Sequence, residues 1–193
     1  MTTVTERPRS YRTRLFTIAD LAALPEELPS GSVKYELDNG RLVPMAPPGG
    51  EHGRMQHRLA LVLAKAERRK LGEAFSEVGI ILRREPDRVV GADAAFVAKR
   101  SLPVRLSPEG YLETIPELVV EVRSKNDSDP ELGAKAEEYL QAGVRAVWIV
   151  DPDSKTVVVY LPKRKPTKLG SRETLSAGRV LPGFRAAISD LFD

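Results

Sequence analysis

Between Phe16 and Leu161 the order of apolar and polar positions divides the chain into helical and extended segments. Phe16 to Leu24 predicts a short helix that Thr17 would cap together with Asp20, and Pro25 and Pro29 end it. Tyr35-Glu36-Leu37 and Arg41-Leu42-Val43 flank Asp38-Asn39-Gly40, whose composition supplies the positive φ angles of a tight hairpin. From Glu51 to Leu71 the apolar residues Met55, Leu59, Val62, Leu63 and Ala66 recur at helical spacing, and Gly72 is the expected stop. Three strand-like runs follow, Phe75 to Leu82, Val89 to Val97 and Leu118 to Arg123, the first two joined by a polar turn at 84–87. A second long helix is expected from Pro130 to Ala142, ahead of Gly143. Strands at Ala146 to Val150 and Thr156 to Leu161 then enclose the Asp151-Pro152-Asp153 turn. Strands interleaved with helices predict an α/β (α+β) fold, a mixed β-sheet flanked by helices, because the hairpins require antiparallel pairs. No internal repeat interrupts this order.

Composition narrows the reading. A chain of 193 residues, 41% hydrophobic and 30% charged, has the size and apolar content for one domain with a substantial core. Residues 16–193 are therefore expected to form that domain, with residues 1–15 a flexible basic arm. The absence of cysteine excludes disulfides, thiolate metal ligands and thiol nucleophiles, and fits a reducing compartment. No apolar run approaches membrane-spanning length and no signal-peptide pattern opens the chain, so a cytoplasmic protein is expected. A net charge of +3 is compatible with a polyanionic partner. The excess is uneven: Arg7, Arg9, Arg12 and Arg14 crowd the first segment, and Lys163, Arg164, Lys165, Lys168 and Arg172 a late one. Either segment serves as a solvated arm or as a phosphate-tracking one.

The informative anomaly is Glu121 inside Leu118-Val119-Val120-Glu121-Val122, a run whose neighbours predict cover on both faces. A carboxylate buried there costs several kcal/mol (about 3–5) unless a cation, a metal or hydrogen bonds offset it. Asp93 stands in a similar strand among small residues that leave room beside it, and the two acids read as one site. Two carboxylates, with a backbone carbonyl near Val122, suffice for Mg²⁺ or Mn²⁺, which keep several waters and polarise a phosphoryl oxygen. Lys135 flanks the apolar face formed by Leu132, Ala136, Tyr139 and Leu140 and has the reach to supply a positive charge. Competing assignments exist: Glu131 and Lys135 form a favourable surface pair, Asp93 fits an exposed bulge, Glu36 faces site or water, and Arg123 is placed to pair with Glu121. His52 and His57 lie roughly 140° apart on a helix, which disfavours joint ligation of a metal. No nucleophile elbow, phosphate-cradling loop or dinucleotide fingerprint occurs.

Taken in order, these residues resemble the PD-(D/E)XK nuclease superfamily and, within it, the putative restriction endonuclease (Uma-two-like) family, once a domain of unknown function. The resemblance rests on Tyr35-Glu36-Leu37 with Asn39-Gly40 and Pro47-Pro48, Glu51-His52 opening a helix, and the Asp93 strand. It continues through residues 116–124 (PELVVEVRS), Lys135 with Tyr139, and 142–144 leading to 148–152. It implies a restriction-endonuclease-like core in which Asp93 and Glu121 match the metal acids and Glu36 an acid from the N-terminal part. Lys135 then matches a lysine moved from strand to helix, and His52 a position lining the site. Two departures stand out: Ala92 replaces the motif's proline, and Arg123 occupies the position of its lysine, where it cannot serve as a base. The expected function is Mg²⁺- or Mn²⁺-dependent endonucleolytic hydrolysis of DNA, with Glu36, Asp93, Glu121 and Lys135 catalytic and His52 and Arg123 binding substrate. A symmetric homodimer is expected by analogy with enzymes that cut both strands. The alternative is a binding or interaction module without turnover, in which Arg123 neutralises Glu121 in place of metal.

Overall fold

The computed structural model describes residues 14–25, 27, 28 and 31–192; most of the expected N-terminal arm lies outside them. The chain begins with α1 (Ile18–Ala22), a small pair β1 (Glu27–Leu28) and β2 (Gly31–Ser32), and the hairpin β3 (Lys34–Asp38) and β4 (Arg41–Met45). Then follow α2 (Gly50–Arg68), the long hairpin β5 (Gly72–Arg83) and β6 (Arg88–Ala98), and β7 (Leu118–Val122). The order closes with α3 (Asp129–Gln141), β8 (Ala146–Asp151), β9 (Thr156–Tyr160), β10 (Thr167–Leu169), β11 (Thr174–Leu175), β12 (Ala186–Ala187) and α4 (Ser189–Phe192).

Local chemistry sets the element ends. Thr17 and Ser128 close reciprocal capping boxes with Asp20 and Glu131, so α1 and α3 begin where their first free N–H groups find side-chain oxygens. Asn39 and Gly40 both take positive φ, the conformation that lets a two-residue turn follow the twist of β3 and β4. The stop of α2 corrects the expectation placed on Gly72. Lys70 takes the left-handed conformation, and bonds from Leu71 N–H to Ala66 C=O and from Lys70 N–H to Glu67 C=O satisfy the last carbonyls. Gly72 is needed for another reason: a Cβ there would stand 2.0 Å from the Val97 carbonyl oxygen.

The main sheet is mixed, with β7 and β8 parallel and its other neighbours antiparallel. One face carries α2 and residues 175–192, whose Leu175, Leu181, Phe184 and Leu191 join Leu59, Leu63, Phe96 and Trp148 in one core cluster. Trp148 stacks on Phe184 with ring centres 5.8 Å apart. The other face is covered by α3, through Leu132, Ala136 and Tyr139 against Ala95, Val119 and Val147. The C-terminal cover has no clear periodicity in the sequence and was not anticipated; nor was the excursion after β6. That excursion returns to the free side of β5, where Leu112 and Ile80 form a bridge and Tyr111 closes over Gly79.

The sheet divides at β6. Ala94 pairs with Ser76 of β5 on one side and Val120 of β7 on the other, whereas Val89 pairs with Ile81 of β5 and Leu37 of β3. Because β5 runs along one edge of β6, β7 and β3 must share the other edge, and they part between Val90 and Asp93. Arg88 fastens the divided region. Its guanidinium makes a two-point contact with Glu138 of α3 at 2.7 and 2.8 Å and donates to Glu36 and to the Leu37 carbonyl of β3. Both Arg88 and Glu36 are buried. Arg88→Met, which leaves Glu36 buried without this cation, is expected to cost about 3 kcal/mol in urea unfolding. Adding Glu36→Gln should recover part of that loss.

Candidate active site

The division of the sheet leaves the backbone N–H and C=O of Gly91 without a strand partner on that edge. Its N–H donates to Glu36 Oε1 at 3.0 Å, and its carbonyl accepts from Lys135 Nζ at 3.3 Å. Glu36 arrives there because alternation along β3 turns it away from Tyr35 and Leu37, which pack with α1. Lys135 arrives from α3, its stem running inward beside Tyr139, and donates to Glu121 Oε2 at 3.0 Å while lying 3.8 Å from Glu36. The surface pairing with Glu131 does not form, since Glu131 is engaged in capping Ser128.

Glu121 is buried in the middle of β7, where Tyr139 Oη donates to its Oε1 at 2.6 Å. Burial pushes its carboxyl up to about 7, and Asp93 adds to the rise, while Lys135 and Tyr139 work against it. Burial also pushes the Tyr139 hydroxyl well above its usual range, so it remains a donor. Burial alone would depress the Lys135 ammonium, but Glu121 and then Glu36 outweigh it, leaving this lysine more firmly protonated than usual.

Asp93 occupies the opened edge of β6. His52 Nε2 and Gln56 Nε2 approach its Oδ1 at 2.9 and 2.7 Å, and the Val122 N–H donates to its Oδ2 at 2.6 Å. Burial opposes ionisation, but the bonds from His52 and Val122 prevail and hold the carboxyl below its ordinary range. The same bond raises the His52 imidazole above its ordinary value against the effect of burial. Ser124 Oγ stands 3.2 Å from His52 Nδ1 and completes its surroundings. Asp93 is thus not in an exposed bulge, and the Val122 contact is made by its N–H.

Arg123 departs from its expected place. Its guanidinium binds Asp129 and the Asp127 carbonyl at the start of α3 and lies 3.8 Å from Asp151; Glu121 is not among its partners. The strand ends at Val122, and the Arg123 N–H bonds to the Val150 carbonyl, so the side chain leaves toward the helix start. The contact on which the module without turnover relied is therefore absent. Two residues were missed in the sequence: Gln56, whose signal is its position one turn after His52, and Arg88, a strand-opening cation with no local mark of its partners.

Glu36, His52, Asp93, Glu121, Arg123 and Lys135 all line one open cleft of about 1500 Å³. Among the described residues no set of three or more His, Cys, Asp or Glu side chains is arranged to hold a metal. An ion held here would rest on Asp93 and Glu121, with water oxygens completing the shell, an oxygen donor set that suits a small hard cation. Lys163, Arg164 and Lys165 of the late basic segment are remote from this chemistry. The C-terminal ends of β7 and β8 meet the cleft, and β9 runs back antiparallel to β8, so the connection at 161–166 lies at the opposite end of the sheet.

No curated protein matches the chain. A solved structure described as a putative nuclease belonging to DUF820, from Anabaena variabilis, is similar in fold, with a TM-score of 0.73 at 20% identity. The similarity covers 92% of this chain and 97% of that one. The family model described as Uma2, putative restriction endonuclease, matches residues 19–189, and the chain belongs to that family.

Proposed function

We propose that the protein is a divalent-metal-dependent endonuclease that hydrolyses phosphodiester bonds in DNA. The observation that carries this reading is the convergence of Asp93, Glu121 and Lys135 where the sheet divides, with Lys135 Nζ 3.0 Å from Glu121. Family membership supports nuclease chemistry in general. Asp93, kept ionised by three donors, and Glu121 would hold Mg²⁺ or Mn²⁺. The ion, when bound, activates a water and offsets charge on the phosphate under attack.

The chain's own residues supply the remainder. Lys135 stays protonated, which suits it to stabilise negative charge growing on the phosphate and unsuits it to act as a base. Glu36, fixed by Gly91 N–H and Arg88, is a second carboxylate that helps keep the ammonium in place. His52 and Gln56 fix the orientation of Asp93, and Tyr139 that of Glu121. Arg123, turned toward Asp129, serves to anchor the start of α3.

Cleavage of supercoiled plasmid tests the reading. Wild type should nick it with Mn²⁺ and fail in EDTA, Asp93→Ala and Glu121→Ala should fall to background, and Lys135→Ala should lose about 100-fold. A well-folded wild type that cuts nothing across several metals and substrates would overturn it. A second expectation concerns pH in the metal-free protein. The folded Glu121 carboxyl, at about 7, holds its proton longer than in the unfolded chain, where it ionises near 4.5. Stability therefore falls as pH rises through this window. Urea unfolding in EDTA should show wild type losing stability relative to Glu121→Gln between about pH 5 and pH 8.

A further inference from the structure

One wall of the cleft differs in chemistry from the rest. Residues 43–50 (VPMAPPGG) carry no charged side chain in a chain that is 30% charged. In the β3–β4 register Val43 lies opposite Glu36 and Met45 opposite Lys34, so these side chains share one face, while Tyr35 and Leu42 share the face packed toward α1. Val43 and Met45 are 38% and 39% exposed, and with Pro47 and Pro48 they line the cleft. The strip leads directly into α2, whose first turns bring His52 and Gln56 to Asp93. An apolar surface thus stands cross-strand from Glu36 and continuous with the helix that orients Asp93.

Charge in the cleft points the same way. Ten carboxylate side chains line it against five Lys and Arg side chains. Lys34, Arg88, Arg123 and Lys135 are each paired with a carboxylate, and Lys125 is the one without such a partner among the described residues. Lys125 is exposed on a turn held by Ser124 N–H to Asp127 Oδ2 and Asp127 N–H to Ser124 C=O. A duplex carries one phosphate charge per about 1.7 Å of axis and turns its base faces inward, so it would bring two charged backbones to an acidic cleft and offer the strip nothing apolar. A strand with unpaired bases brings one backbone and presents base faces that apolar side chains can cover.

We infer that residues 43–48 form a base-contacting wall and that the site takes DNA whose bases are unpaired, with base faces on Val43, Met45 and the prolines and a phosphate at Lys125. The inference rests on the nuclease reading and gives it a substrate class. The test uses one labelled sequence as a single strand, as a duplex, and as a duplex with an unpaired central segment. It compares wild type with Val43→Thr/Met45→Thr, exposed changes that keep strand propensity and leave every proposed catalytic residue in place.

With Mn²⁺ the unpaired forms should be cut roughly tenfold faster than the duplex. The double variant should raise KM on the single strand roughly tenfold and change kcat less than about threefold. Equal or faster cutting of the duplex, or an unchanged KM, overturns the inference. If wild type cuts none of the three, the nuclease reading fails, and fluorescence anisotropy with Ca²⁺ decides this one separately. Tighter binding of the unpaired forms that the double variant loses supports it, whereas equal binding, or none, overturns it. Sedimentation showing a dimer that the double variant dissociates also overturns it, because the strip is then covered by a second copy.

Discussion

The arrangement of the site is organised around one residue, Gly91, whose backbone N–H and C=O the sheet leaves unpaired on one edge. Where β3 and β7 part along β6, the N–H and C=O of Gly91 face a gap in the sheet and have no strand partner on that edge. Glu36 accepts from the N–H and Lys135 donates to the carbonyl, so two charged side chains take the place a neighbouring strand would fill. Their charges then need compensation, which Arg88 provides for Glu36 and Glu121 for Lys135.

This chain of compensation crosses elements distant in sequence. Arg88 ties β6 to β3 and α3, Lys135 ties α3 to β7, and Asp93 ties β6 to α2 and β7. Buried ion pairs contribute little net stability, but removal of one partner leaves an uncompensated charge, which makes each contact a constraint on geometry. The result is a set of oxygens and one ammonium held in place before any substrate arrives, the condition under which electrostatic catalysis avoids reorganisation.

The elements with strong periodicity were legible in the sequence because one physical pattern determined each: apolar spacing in α2 and α3, positive-φ residues in the β3–β4 turn, and β-branched runs in β7 and β8. Glu121 was legible as an anomaly, since an acid among valines signals a buried charge. Gln56 and Arg88 were not, because their roles depend on partners 37 and 50 residues away, and neither residue is unusual in its own segment. The C-terminal cover escaped for the same reason. Residues 175–192 have short elements and little periodicity, and they are held by contacts with α2 and Trp148.

Arg123 shows how the same strand separates two positions that sequence spacing places together. Two residues after Glu121, it should project on the same face if β7 continued. It does not continue: Val122 ends the strand, β8 takes the Arg123 N–H, and the side chain turns to Asp129 and the Asp127 carbonyl. An arginine there cannot give up a proton, but its planar fork can fasten the first turn of α3 to the end of β7. Lys135 stands between one and two turns farther along that helix. Arg123 thus fixes the start of the helix from which Lys135 reaches Glu121, so the contact that closes the end of β7 also helps set where the Lys135 ammonium stands.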